Sequence, residues 1–228
     1  MATNGNTFLE HLSFWRQFMK KFAAALLMTI ASASIAGAQS PVDSLKLTGA
    51  GSVVSGNVYV GNYAGALKEA GTTTFAAPVT INCVDFFHDV TVGQVWGVTD
   101  INLATGNFSG TYYANQTKYQ NAAFLTTFFG QYYQTNNVAQ IAAIQHAIWN
   151  IVDGTTFTDA SAWTTCVANG VCEGKTLGSV DYSSFILLHP TANQAQEMLT
   201  TTPEPSSVAL LGTGLFGLVP LVRRRRRS

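Results

Sequence analysis

One stretch decides how the chain folds: AQIAAIQHAIWNIVDG, residues 139–154. Its apolar side chains recur at the spacing of an α-helix that buries one face. This buried stripe consists of Ile141, Ile144, Ile148, Trp149 and Val152. Gln145 falls within the stripe, four residues before Trp149. A buried amide without a partner costs about 1–3 kcal/mol, so Gln145 is expected to have one, either hydrogen-bonded or covalent.

The sequence on both sides of this helix indicates one mixed domain. Residues 39 to about 110 are rich in Gly, Val, Tyr and Ser with rough alternation, which predicts strands and turns. Residues 118–152 have helical spacing in two segments, with a cap expected at Asn136 or Asn137 and a stop at Gly154. After these helices, the sequence predicts a loop with two cysteines, a late strand and a short final helix or strand. The prediction is an α+β domain over residues 39–202, an antiparallel β scaffold with a helical insertion.

The N-terminal 38 residues have the features of an export signal. Lys20 and Lys21 precede the apolar run FAAALLMTIASASIA, which ends at the small-x-small site Ala36-Gly37-Ala38. Met19 stands directly before the lysines, so it is an alternative start of translation. Residues 1–38 are therefore predicted to be a signal-peptide region.

The C-terminal end, residues 203–228, has a different targeting pattern. Pro203-Glu204-Pro205 comes first, and no charge occurs from Ser206 to Val222. Five arginines then follow, namely Arg223, Arg224, Arg225, Arg226 and Arg227. The uncharged run predicts a short transmembrane helix over residues 206–222, and the positive-inside rule places the arginines in the cytoplasm.

This arrangement resembles the PEP-CTERM sorting signal of Gram-negative bacteria. The resemblance implies an exosortase as a partner, an inner-membrane stage before processing, and final location at the cell surface or in the extracellular polymer matrix. A plain C-terminal anchor is the alternative interpretation.

Charge is unevenly distributed along the chain. The whole sequence has 12 basic and 12 acidic residues. Residues 39–202, however, have four lysines, no arginine and ten acidic residues, a net charge of −6. An acidic body without a basic stripe argues against nucleic acid as a partner, because phosphate contacts supply most of that affinity.

Three cysteines in an exported protein leave one without a partner. Cys166 and Cys172 enclose a short loop that contains Asn-Gly, so a local disulfide is predicted. A disulfide from Cys83 to either of them is the alternative. If the local pair forms, Cys83 remains as a spare thiol. Attack of its thiolate on the carboxamide carbon of Gln145 would expel ammonia and leave an internal thioester.

Two short motifs also resemble the thioester domains of Gram-positive surface adhesins. They are Cys83-Val-Asp85 and Gln145-His-Ala-Ile148-Trp149. The resemblance implies that Cys83 and Gln145 form the bond, with Trp149, Ile148 and Asp85 around it. The family usually has Thr or a polar residue where this chain has Ile144.

The predicted function is adhesion or matrix attachment, with an extracellular polysaccharide or an amine-bearing surface partner, and covalent capture of an amine by the internal thioester is its expected mechanism. Such a clamp does not turn over, so no enzyme activity is expected, and neither a cofactor nor a metal site is predicted. One alternative is a non-covalent structural or polysaccharide-binding matrix protein, with Gln145 as a packing residue bonded to the backbone or to Asn82. Another is a secreted cysteine hydrolase with Cys83 as nucleophile and His88 or His146 as base. His146 is one residue from Gln145, so its side chain is expected to lie mostly off the buried stripe.

Overall fold

A computed structural model describes residues 42–192 and 195–202. One compact unit comprises residues 40–202. The strands are β1 Val42–Gly49, β2 Val53–Ser55, β3 Val58–Val60, β4 Asn62–Glu69, β5 Val79–Cys83, β6 Val95–Asn102, β7 Val171–Cys172, β8 Lys175–Thr176, β9 Phe185–Pro190 and β10 Met198–Thr201. The α-helices are α1 Gln116–Thr126, α2 Phe129–Gln134, α3 Val138–Val152 and α4 Ser161–Ala168. Short 3₁₀ turns occupy Thr158–Ala160, Leu177–Ser179 and Tyr182–Ser184.

Six strands close into a barrel in the order β1-β4-β5-β10-β9-β6. Every neighbouring pair is antiparallel, so the predicted antiparallel scaffold is confirmed. Closure satisfies the hydrogen-bonding groups that the edge strands of an open sheet would expose. The sequence did not predict closure. It depends on β10, a four-residue strand that lies between β5 and β9.

The barrel interior is packed with aliphatic side chains around a glycine. Leu45, Ile81 and Leu187 are fully buried. A Cβ atom at Gly65 would lie 2.8 Å from Ile81 Cδ1 and 2.9 Å from Leu45 Cδ1, closer than carbon atoms normally approach. The absence of a side chain at Gly65 therefore lets these two residues fill the barrel.

Helix α3 is the central helix of the domain, with ten of its fifteen residues buried. The Asn137 side chain caps its first turn by accepting a hydrogen bond from Gln140 N at 3.2 Å, which confirms the predicted cap. Gly154, with φ of +80°, follows the C-terminal cap Asp153. His146 was expected to lie mostly off the buried face, which is wrong, because helices and turns cover α3 on more than one side and leave His146 only 5% exposed.

The other helices differ from the sequence prediction in two places. Residues 118–134 do not form one helix, because the chain breaks between Thr126 and Phe129 into α1 and α2. The segment with the two cysteines is not a plain loop, since Cys166 lies in α4 and Cys172 in β7.

None of the helices within residues 42–192 and 195–202 is long and apolar enough to cross a membrane. The predicted signal region, residues 1–38, and the predicted transmembrane helix, residues 206–222, lie outside the described residues.

Candidate functional site

Cys83 and Gln145 meet where the end of β5 faces the middle of α3. Both residues are completely buried. Gln145 Nε2 donates to the Cys83 carbonyl oxygen at 2.8 Å, and Gln145 Oε1 accepts from Gly61 N at 3.3 Å. The side-chain amide therefore has a donor and an acceptor, both from the backbone, and Asn82 is not its partner.

Gly61 brings the β3–β4 connection close enough to α3 for this contact. Its φ of +87° lies in the left-handed region that favours glycine. A Cβ atom there would collide with the Tyr133 hydroxyl and lie 2.8 Å from Ile141 Cγ2. Tyr133 in turn accepts from Asn62 N at 2.8 Å, which fixes the connection against the helical layer.

The Cys83 thiol is buried and protonated. It donates to the Asp85 carbonyl oxygen at 3.1 Å. Burial raises the pKa of Cys83 far above its ordinary value, and the nearby Trp149 indole N–H and the Asp85 backbone contact only partly oppose this. Because the thiolate is the nucleophilic form, any acyl chemistry at Cys83 requires a group that takes its proton.

Trp149 and Ile148 cover the site from α3. Ile148 is fully buried and Trp149 is 2% exposed. The Trp149 ring packs against Phe86 at 5.0 Å and against Phe157 at 5.8 Å between centroids. Its Nε1 atom is buried without a hydrogen bond of good geometry. The indole thus shields the thiol from water.

Asp85 is a fully buried carboxylate two residues after the thiol. Its Oδ2 lies 2.6 Å from His88 Nδ1, and its Oδ1 accepts from Phe87 N at 3.1 Å. Burial raises the pKa of Asp85, against the lowering influence of His88. The Tyr113 hydroxyl approaches the same Oδ1 atom at 3.5 Å.

Two further acids, Asp153 and Glu197, belong to the same region and were missed in the sequence. Asp153 Oδ2 accepts from Phe86 N at 2.6 Å. The pKa of Asp153 is raised to about 7, chiefly by burial and to a smaller extent by the charges of Asp85 and Glu197, against the lowering influence of the Tyr113 hydroxyl and the Phe86 N–H. The available signal was its spacing, since Asp153 follows Gln145 by eight residues on a helix and therefore lies near the same face.

Glu197 is fully buried next to the start of β10. It accepts hydrogen bonds from the Tyr119 hydroxyl and from Tyr112 N, the latter at 3.1 Å, and lies 2.7 Å from His189 Nδ1. Burial raises the pKa of Glu197, while Tyr119 and the other partners lower it. Residues distant in sequence build this part of the site, so a local motif could not have shown it.

An open groove of about 560 Å³ reaches the site from the surface. Trp149 and Phe86 line its inner part, and Tyr59 and Phe87 stand on its rim with 52% and 65% of their surface exposed. Asp89 adds a carboxylate to the lining. Trp149 lines the groove and lies near the thiol, whereas Cys83 and Gln145 do not line it, so the indole is positioned to shield them from solvent.

The remaining cysteines and histidines do not join the site. Cys166 and Cys172 form the predicted disulfide, with Cα atoms 5.0 Å apart, and Cys83 is free. His146 stacks on Phe157 at 4.1 Å and its Nδ1 lies 2.8 Å from Asp159. No histidine of the described ranges hydrogen-bonds to the Cys83 thiol. Within the same ranges, no three or more His, Cys, Asp or Glu side chains group in a way that could hold a metal ion.

Comparison with known proteins identifies the C-terminal end. Residues 201–227 match the family model of the PEP-CTERM protein-sorting motif. The matched segment of this chain includes Pro203 and the arginine cluster. The chain therefore carries the sorting signal of an exported surface protein, which an exosortase in the membrane processes. The match begins at Thr201, the last residue of β10, so the sorting motif directly follows the barrel.

The domain itself has only distant likeness to known proteins. No curated protein matches the chain. The N-terminal thioester domain of a surface protein from Clostridium perfringens is similar over 61% of this chain and 88% of its own, at 12% identity and a TM-score of 0.37. A similarity of this size establishes neither a shared function nor a shared site.

Proposed function

We propose that the domain attaches its bacterium or matrix to an amine-bearing partner through an internal thioester between Cys83 and Gln145. The observation that carries the proposal is the contact between Gln145 Nε2 and the Cys83 carbonyl, 2.8 Å long, between two completely buried residues. This contact brings the carboxamide to the residue that carries the free thiol of the described chain.

The bonds that form and break belong to these two side chains and an incoming amine. Cys83 sulfur attacks the Gln145 carboxamide carbon, the carbon–nitrogen bond breaks, and ammonia leaves with the thiol proton. A primary amine then attacks the thioester carbon, forms an amide with the Gln145 side chain, and returns the proton to sulfur. Because the amide does not revert, each molecule reacts once and is not an enzyme in the ordinary sense.

Three features of the molecule support this use. A free thiol in an oxidising compartment is at risk of unwanted disulfides and oxidation, which thioester formation prevents. Trp149 shields the bond from hydrolysis, since only 2% of its surface is exposed and it lines the groove, which Cys83 and Gln145 do not. The acidic groove residue Asp89 suits a cationic amine, as does the net charge of −6 over residues 39–202.

A biotinylated alkyl amine tests the proposal on the full-length protein in detergent. We expect covalent labelling of the wild type and no labelling of Cys83→Ala or Gln145→Ala. The first variant lacks the sulfur of the thioester, and the second lacks its carbonyl group. Asn150→Ala is a matched control on the same helix, since its contacts are with Thr155 and Phe157. Equal labelling of wild type and Cys83→Ala would reject the thioester.

A non-covalent polysaccharide-binding function is the second candidate. The exposed rings of Tyr59 and Phe87 on the groove rim favour it, because sugar rings stack on exposed aromatic faces. In this case the Gln145 amide is a packing group, held by Cys83 O and Gly61 N. Tyr59→Ala would then abolish polymer retention in affinity electrophoresis, and Cys83→Ala would leave it intact.

The hydrolase hypothesis has less support. Its nucleophile would pair with His88 or His146 as base, and the hydrogen-bond partner of the Cys83 thiol is instead a backbone carbonyl.

A further inference from the structure

Three carboxylates of low exposure lie near the candidate thioester, and a histidine is the basic partner of two of them. Asp85 and Glu197 are fully buried, and Asp153 is partly buried. Within the described ranges their charged contacts are with histidines, and no lysine forms a salt bridge to any of the three. Lys118 instead donates to the Val152 carbonyl at 2.7 Å. A buried carboxylate without a cationic partner is costly to ionise, and Asp153 is the one of the three that forms no salt bridge within the described ranges.

Tyr113 connects two of these acids close to the thiol. Its hydroxyl is 3.5 Å from Asp85 Oδ1 and also lies near Asp153, although without good hydrogen-bond geometry. Asp153 Oδ2 accepts from Phe86 N at 2.6 Å, which ties the carboxylate to the segment directly after Cys83. The thiol itself contacts the Asp85 carbonyl at 3.1 Å. Acid, hydroxyl and thiol are thus held in one buried cluster.

Asp153 is the member of the cluster that is free to exchange a proton. Asp85 Oδ2 is occupied by His88, and Glu197 is occupied by Tyr119, Tyr112 N and His189. Asp153 Oδ1, in contrast, is buried and receives no hydrogen bond of good geometry. An acceptor oxygen in this state has room for a proton that arrives from a neighbouring group.

We propose that Asp153, with the Tyr113 hydroxyl as its neighbour, is the acid–base group for acyl transfer at Cys83 and Gln145. The inference rests on the proposed thioester function and assigns the proton-carrying group that this function requires. Neither Asp153 nor Tyr113 belongs to the Cys83 and Gln145 motifs.

The proton balance of both steps follows from this assignment. During bond formation the Asp153 carboxylate accepts the thiol proton, sulfur attacks the carboxamide carbon, and protonated Asp153 returns the proton to the departing nitrogen, which leaves as ammonia. During capture, Asp153 accepts a proton from the attacking amine as the new carbon–nitrogen bond forms. It then delivers this proton to the Cys83 sulfur as the carbon–sulfur bond breaks. Asp153 ends each step in its starting state.

The test measures two quantities on the full-length protein in detergent: the fraction that carries the thioester and the rate of methylamine incorporation, both by intact mass. Asp153→Asn keeps an oxygen acceptor for Phe86 N–H but cannot carry the proton. We expect methylamine incorporation to slow by about 100-fold, the lower range of general acid–base catalysis. Asp153→Glu restores a carboxyl group and is expected to recover part of the rate. Asp100→Asn, on β6 outside the cluster, is the control.

Tyr113→Phe provides a second test that does not depend on the folding of the Asp153 variant. It keeps the ring and removes the hydroxyl, so it is expected to slow the same reaction by about tenfold. If Asp153→Asn and Tyr113→Phe both form the thioester and react at the wild-type rate, the proposed role of Asp153 is overturned, and the proposed thioester function is not. Absence of the thioester from the wild type as well would overturn the proposed function together with this inference.

Discussion

Substitution of Asp153 by asparagine should change how the stability of the domain depends on pH. Burial raises the pKa of Asp153 from 3.8 to about 7. The folded protein therefore binds a proton that the unfolded chain releases between these two values. Stability due to the protonated carboxyl is complete below about pH 4 and is lost as pH rises through about 7. Asparagine cannot ionise, so this loss disappears in the variant.

The size of the effect follows from the shift. At 1.36 kcal/mol per pKa unit, a rise from 3.8 to about 7 corresponds to at most about 4 kcal/mol. Asp153 is partly exposed, and water screens its charge, so we expect about 2 kcal/mol. Asp85 and Glu197 have raised pKa values as well and add a slope of the same sign, which the variant retains.

Urea unfolding between pH 4 and pH 8 measures the difference. The wild type should lose about 2 kcal/mol more than Asp153→Asn across this range, and the variant should be the more stable protein at pH 8. Asp100→Asn, which removes a carboxylate from β6 outside the buried cluster, should follow the wild-type profile. Parallel profiles for wild type and Asp153→Asn would refute the assignment of a buried, proton-binding carboxyl at this position.

Three further results are expected. Gln145→Leu should lower the free energy of unfolding by about 2–4 kcal/mol, because Cys83 O and Gly61 N lose their hydrogen-bond partner. Gln134, at the end of α2, is exposed, so Gln134→Leu should change the free energy of unfolding by less than about 0.5 kcal/mol in the same urea assay. Trp149→Phe should speed methylamine incorporation measured by mass, because a smaller ring leaves the bond less shielded, and an unchanged rate would remove the shielding role. Mild reduction of the short Cys166–Cys172 loop should cost about 2 kcal/mol, and a loss of more than twice that value would show that the bridge does more than fix a local turn.

Local patterns were enough to predict the central helix and much of its burial. The spacing of Ile141, Ile144 and Ile148 predicted α3, and all three side chains are buried. The Asn137 cap and the Gly154 stop were also visible, because they depend on a few neighbouring residues. The disulfide followed from the short separation of its cysteines.

Features that depend on distant contacts could not be predicted. Barrel closure requires β10 to pair with β5 and β9, with Met198 opposite Cys83, and four residues carry too little pattern to show this. The sequence predicts His146 mostly off the buried stripe, because the periodicity of one helix does not show that a distant turn packs Phe157 against the His146 ring. The carboxylate cluster joins Asp85, Asp153 and Glu197 from three parts of the chain, so only the folded structure reveals it.

The central claim is the bond between Cys83 and Gln145, and intact mass measures it most directly. The full-length protein is weighed in denaturant without reductant, before and after methylamine, beside Cys83→Ala. We predict that the wild type is lighter than its processed sequence by one ammonia beyond the disulfide, that methylamine adds to it and releases a thiol, and that Cys83→Ala shows neither change. A wild-type mass that includes the ammonia, with Cys83 open to alkylation on unfolding and no methylamine adduct, would contradict the account.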